Sequence, residues 1–205
     1  MRNFASQNQT LKQQMNQKFF TGAIAAVAFL LPSTAMGQKA DFNVIPMPQK
    51  VEMASAASPF VLNAKTCISI ASNSADMKRN ANMLAMYIEE QTGIRPVVGK
   101  AAKGAAAIVL SIDKSVKNAE GYKINVANSN ITISGSTAAG VFYGIQTLRK
   151  SLPVVKSTAS QVEIPAVNIS DAPRFAYRGT HLDVSRHFVS ADSIRQFIDL
   201  SLIHI

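Results

Sequence analysis

The chain has 205 residues, with 21 lysines and arginines against 12 aspartates and glutamates, and a single cysteine. One thiol excludes an internal disulfide framework, so stability has to come from an apolar core. The formal charge of +9 is spread along the chain, with no run of five or six like charges and no aromatic residues interleaved with the basic ones, which argues against a nucleic-acid partner.

The first 37 residues read as a secretory signal. Arg2, Lys12 and Lys18 precede an apolar run from Phe19 to Leu31, followed by Pro32 and the small-residue stretch Ser33 to Gly37. The run is 13 residues long, against roughly 20 needed to cross a bilayer. A stable membrane span is therefore not expected, and Pro32 further disfavours an uncleaved anchor. With cleavage after Gly37 the charge falls to +6, because three basic and no acidic residues leave. The expected location is outside the cytoplasm: periplasmic, secreted or at the cell surface.

Residues 42–53 are extended, because Pro46 and Pro48 forbid a helix. Phe60–Leu62 and Thr66–Ile70 follow as short strands, the second holding Cys67 as a buried structural thiol. Met77, Ala81, Leu84 and Ile88 share one face of a helix, with Ser74 as N-cap, Asp76 in the first turn, and Gly93 and Pro96 closing it. Ala105–Ser111 reads as a central strand. Tyr122, Ile124 and Val126, then Ile131 and Ile133, alternate with polar residues around an Asn128-Ser129-Asn130 turn, which predicts a hairpin. A second helix runs from about Ala138 to Leu152 with Val141, Ile145, Leu148 and Leu152 on one face; Gly140 and Gly144, one turn apart, allow close approach to a sheet. This order predicts an α+β domain, a mixed sheet with helices on one face. Residues 154–173 read as a connector ending in the turn residues Ser170-Asp171-Ala172-Pro173, which places a domain boundary there.

Beyond it, Phe175–Val184 reads as a strand, and Ser190 caps an amphipathic helix opened by Asp192, Ile194, Phe197 and Ile198. Arg178, His181, Asp183, Arg186 and His187 crowd this segment. Spacing leaves two readings open: a catalytic strand end of a β/α architecture, or a structural ion-pair network at a domain interface.

Ala172-Pro173-Arg174-Phe175-Ala176-Tyr177-Arg178-Gly179 followed by Leu182-Asp183-Val184-Ser185-Arg186-His187-Phe188 resembles the opening of the catalytic (β/α)8 TIM barrel of family 20 glycoside hydrolases, the β-N-acetylhexosaminidases. Ile45–Val51 resembles their mature N-terminus. Glu120–Ile124 and Gly140–Leu148 resemble the end of their non-catalytic α+β domain. The resemblance implies a signal peptide over 1–37, that α+β domain over 38–171 and the truncated first β/α unit of the barrel over 172–205. It also implies removal of terminal β-linked N-acetylglucosamine or N-acetylgalactosamine from glycans, with retention, the substrate's own acetamido oxygen acting as nucleophile. No metal or other cofactor is implied.

By the same resemblance Arg178 grips the 3- and 4-hydroxyls of the terminal sugar, a task suited to a planar fork of donors. Asp183 and His187 support the sugar site, with a structural role as the alternative; Arg186 is structural and His181 takes no role. The family's catalytic Asp-Glu pair lies in a later barrel strand, and the one pair of adjacent acids here, Glu89-Glu90, lies on a helix and takes no catalytic role. The chain as written is therefore expected to be inactive. Ser201–Ile205 departs from the family pattern and is expected to be foreign sequence. A free-standing α+β module that binds glycans or a partner, or another glycosidase sharing this domain, are the alternatives. The sequence does not fix the oligomeric state.

Overall fold

The structure is a computed structural model that describes residues 38–54, 56–72, 74–101, 106–155 and 161–202. The expected signal at 1–37 and the last three residues of the expected foreign tail lie outside the described residues. No helix among the described residues is long and apolar enough to cross a membrane.

In chain order the elements are β1 (Gln38–Lys39), β2 (Lys50–Met53), β3 (Phe60–Asn63), β4 (Cys67–Ile70), α1 (Ala75–Thr92), β5 (Val97–Val98), β6 (Ala107–Ile112), β7 (Tyr122–Ala127), β8 (Asn130–Gly135), α2 (Ala138–Ser151), β9 (Gln161–Ile164), β10 (Val167–Asp171) and α3 (Ala191–Leu202). Seven strands form one mixed sheet in the order β2-β10-β7-β8-β6-β4-β5, and β1-β9-β3 form a smaller one. The β4-β5, β4-β6 and β6-β8 pairs are parallel; β7-β8, β10-β7 and β10-β2 are antiparallel. The α+β class read from the sequence is the class observed.

Local chemistry accounts for the helices. Ser74 Oγ accepts from the Met77 amide at 3.2 Å, and Gly93 (φ 71°) ends α1 with its amide donating to Glu89 O. Such a left-handed residue satisfies a carbonyl that the helix would otherwise orphan, at no Cβ cost. The predicted face Met77, Ala81, Leu84 and Ile88 is fully buried, as is Val141, Ile145 and Leu148 on α2. The two helices pack against each other and against the large sheet, and Asn80 Nδ2 ties them by donating to Ala138 O at 2.8 Å. Across the sheet Ile124 lies opposite Ile133 and Ile169, and Val126 opposite Ile131 and Val167, all buried. Cys67 is buried, its thiol donating to Gly99 O at 3.4 Å.

The two glycines of α2 act as expected. A Cβ on Gly140 would stand 2.3 Å from Gly121 O, and one on Gly144 would stand 2.6 Å from Ile133 Cγ2. The helix is therefore pressed directly onto β8 and the chain entering β7.

Two readings are corrected. Residues 154–173 are not a plain connector, because they contain β9 and β10. Strand β10 inserts between β2 and β7, and β9 between β1 and β3. Each is four or five residues long, too short for its alternation to stand out beside Pro165, and partner strands from distant sequence supply the pairing. Phe175–Val184 is not a strand. Among the described residues it pairs with no strand, and a single strand cannot satisfy its own backbone hydrogen bonds. The helix predicted after it does form, with Ser190 Oγ accepting from the Ser193 amide at 3.2 Å.

Both sheets are therefore completed only by β9 and β10, the last of which ends at Asp171. A polypeptide of residues 38–171 should unfold cooperatively in denaturant, and one of residues 38–153 should not; a cooperative transition for the shorter piece would refute the central role of β9 and β10. Gly140→Ala should destabilise by about 1–3 kcal/mol through overpacking, and an unchanged denaturation midpoint would show that α2 can yield.

Candidate functional site

The sequence-predicted residues lie between β10 and α3, in a stretch without regular structure running over the edge of the α+β domain. Its start is fixed by β10. Asp171 Oδ2 accepts from Tyr122 Oη at 2.9 Å, Tyr122 Oη lies 2.6 Å from Thr147 Oγ1, and Gln49 donates to Asp171 Oδ1 and to Ala172 O. Burial, with the Asp171 charge added, pushes the Tyr122 phenol well above its ordinary range, so it stays a neutral donor.

Seven residues later Arg178 reaches back to the domain. Nη2 donates to Glu120 Oε1 at 2.9 Å and to Tyr143 Oη at 3.3 Å; Nη1 donates to Glu120 Oε2 at 3.2 Å and to Phe175 O at 2.6 Å. Tyr143 Oη in turn donates to Glu120 Oε1 at 3.1 Å. The guanidinium side chain is 20% exposed and the carboxylate 34%. A bidentate pair of this kind adds geometric specificity to charge-assisted bonding. The hydrogen bonds from Arg178 hold Glu120 below the usual carboxylate range, and Glu120 raises Arg178 further. Burial, then Glu120, raises the Tyr143 phenol.

Glu120 and Tyr143 are brought together by the α2 contact described above. Thr137 Oγ1 donates to Ala119 O at 2.6 Å and Ser136 Oγ to Asn118 O at 2.7 Å, so the residues before Glu120 are braced by the start of α2. Beside the pair lies a cavity of about 660 Å³, whose walls include Tyr122, Gln146, Lys150, Asp171 and Arg178. Lys150 donates to Ile45 O at 2.8 Å, and burial, helped by Arg149, lowers its ammonium to about 8. The Gln146 amide is buried with neither atom paired.

The other predicted residues do not join this cluster. Asp183 is half-buried and pairs with Arg186 Nε at 3.0 Å, while its Oδ1 caps the turn by accepting from the Ser185 and Arg186 amides. His187 and His181 are exposed. Glu89 faces Arg95 at 3.6 Å on the surface. Glu120 and Tyr143 fall within the motifs of the sequence but take no role from their local pattern. Their partner lies 58 and 35 residues away, beyond any local periodicity.

The pattern of "Glycosyl hydrolase family 20, domain 2" matches residues 41–172, and that of "Glycosyl hydrolase family 20, catalytic domain" matches 175–204. The chain belongs to glycosyl hydrolase family 20. It is 31% identical over 193 residues to a β-hexosaminidase of Porphyromonas gingivalis, covering 86% of this chain and 24% of that protein. It is 30% identical over 163 residues to a β-N-acetylhexosaminidase of Cellulomonas fimi, covering 78% and 32%. The solved structure of the Streptomyces plicatus N-acetyl-β-hexosaminidase in complex with thio-NAglucal superposes with a TM-score of 0.68 at 32% identity, covering 78% of this chain and 32% of that one. The chain thus spans about a quarter to a third of the length of these relatives.

The Glu120 shift carries a sign. A carboxylate whose folded pKa is depressed stabilises the fold above its unfolded pKa, and that contribution is lost as pH falls through the folded value. The folded value here lies below the ordinary 4.5. Wild type should therefore exceed Glu120→Gln in denaturation midpoint at neutral pH, and the gap should close as the pH falls through the folded value of Glu120. A gap independent of pH would mean that the ionised carboxylate is not what matters.

Proposed function

We propose that this chain is the N-terminal part of an exported exo-β-N-acetylhexosaminidase that releases terminal β-linked N-acetylhexosamine from glycans by retaining, substrate-assisted hydrolysis. The match of residues 175–204 to the family's catalytic domain carries this reading, and the names of the Porphyromonas and Cellulomonas relatives support it. It divides the polypeptide into a signal over 1–37, the α+β domain over 38–171 and, from 172, the beginning of a TIM barrel. In this reading the Arg178–His187 stretch contributes to the sugar site, with Asp183 and His187 beside it. Arg178 can offer its fork to the 3- and 4-hydroxyls only in exchange for Glu120, which now holds it.

The general acid and its neighbouring aspartate are not supplied by these residues. The 205-residue sequence contains no Asp-Glu dipeptide, and Glu89-Glu90 sits on α1 away from the cluster. Protein isolated from the native host should begin at Gln38 and release nitrophenol from nitrophenyl β-N-acetylglucosaminide, whereas the isolated 205-residue polypeptide should release none. Hydrolysis by the isolated polypeptide, or a native protein inert toward this substrate, would overturn the reading.

A further inference from the structure

Gln146 carries an amide with both ends unpartnered. The residue is 4% exposed, it lines the cavity, and neither Nε2 nor Oε1 has a hydrogen bond among the described residues. A polar group left buried and unpaired costs its full desolvation. The cavity around it has fixed walls. Lys150 stands one turn after Gln146 on the same face of α2. Its Nζ donates to Ile45 O at 2.8 Å, which ties α2 to the extended stretch supplying Pro46 and Gln49. Gln49 Nε2 donates to Ala172 O at 2.6 Å, which ties that stretch to the segment after β10, supplying Ala172 and Phe175. Three walls thus hold one another around about 660 Å³. Met47 and Phe175, which also line it, are each 71% exposed, and exposed apolar groups around an opening mark a surface for further packing.

The chemistry of Gln146 selects the occupant. A carboxylate offers only acceptors, and a guanidinium or ammonium only donors, so each would leave one end of the amide unpaired. An extended main chain turns the N–H and C=O of one residue to the same side, as in the paired bonds of an antiparallel ladder, and so matches both ends. We propose that this cavity is a socket for a main-chain segment of the remainder of the catalytic domain, which Gln146 receives through one donor and one acceptor bond. Its position in the fold supports this. Residues 175–204 match the catalytic domain, and the chain spans a quarter to a third of the length of its relatives. Phe175, where that match begins, is part of the cavity wall, so the remainder of the domain is tethered beside the opening. The proposal rests on the reading of this chain as the N-terminal part of a longer hydrolase. It asks nothing of Arg178, whose proposed role at the sugar site stands.

The test follows acylation of lysines by acetic anhydride at pH 8, read by mass spectrometry, in the 205-residue chain and in the protein expressed from the native locus. Lys150 is a fitting probe, since it stands on the cavity wall and burial lowers its ammonium to about 8. Lys50, with a side chain 63% exposed, is the internal reference. Relative to Lys50, Lys150 should be labelled on the order of tenfold or more slowly in the native protein than in the 205-residue chain, because the reagent reaches it only when the domains part. Gln146→Met removes both unpaired atoms at similar volume. It should leave the denaturation midpoint of the 205-residue chain unchanged or raised, and should speed Lys150 labelling in the native protein on the order of tenfold. The wild-type comparison needs no variant and decides the matter if Gln146→Met does not fold. Equal Lys150 labelling in the two wild-type proteins, or labelling of the native protein unmoved by Gln146→Met, would overturn the socket. So would concentration-dependent protection in the 205-residue chain, the mark of a second copy, or protection by millimolar N-acetylglucosamine, the mark of a small amide ligand. A native protein that hydrolyses the nitrophenyl substrate with Lys150 open defeats the socket alone. One that shields Lys150 through Gln146 and hydrolyses nothing defeats the hydrolase reading alone.

Discussion

The close approach of α2 to the chain entering β7 is the constraint on which the rest depends. It is made possible by glycines on both sides, with Gly140 against Gly121 and Gly144 against Ile133 and Tyr122. A side chain at either helix position would push α2 outward. That would separate Tyr143 from Glu120 and Tyr122 from Thr147, the two contacts that receive the segment leaving the sheet. Packing and polar geometry are thus one device. The apolar face of α2 buries Val141, Ile145 and Leu148, and the same seating sets its edge residues at hydrogen-bond distance from β7 and its lead-in.

That device ties the segment after β10 to the α+β domain through Arg178, Glu120 and Tyr143. Arg178 is suited to this because a planar fork accepts one carboxylate orientation and rejects others. Lysine would leave the segment free to rotate about a point charge. The exposed Phe175, Tyr177 and Phe188 sit on the stretch that matches the catalytic domain. Apolar groups so placed are surfaces for further packing rather than solvent-facing by preference.

Much of the fold was legible because it depends on local rules. The caps at Ser74 and Ser190, the stop at Gly93, the buried faces of α1 and α2 and the β7-β8 hairpin follow from periodicity and turn chemistry read within a few residues. Strands β9 and β10 were not legible. A four-residue strand such as Gln161–Ile164 announces little by itself and is a strand only because β1 and β3 lie beside it. The converse holds for Phe175–Val184, whose residues favour a strand but which pairs with none among the described residues.

The site divides in the same way. The sequence by itself determined the family, the dense charge around Arg178 and Asp183, and the glycines that let α2 settle, because these are properties of residue type and spacing. Only the tertiary structure decided what Arg178 holds. Glu120 and Arg178 are 58 residues apart along the chain, and an arginine fork fits a carboxylate and a sugar diol alike. In the structure it meets the carboxylate, because the seating of α2 on the sheet brings Glu120 and Tyr143 within its reach, and no local pattern encodes that distance.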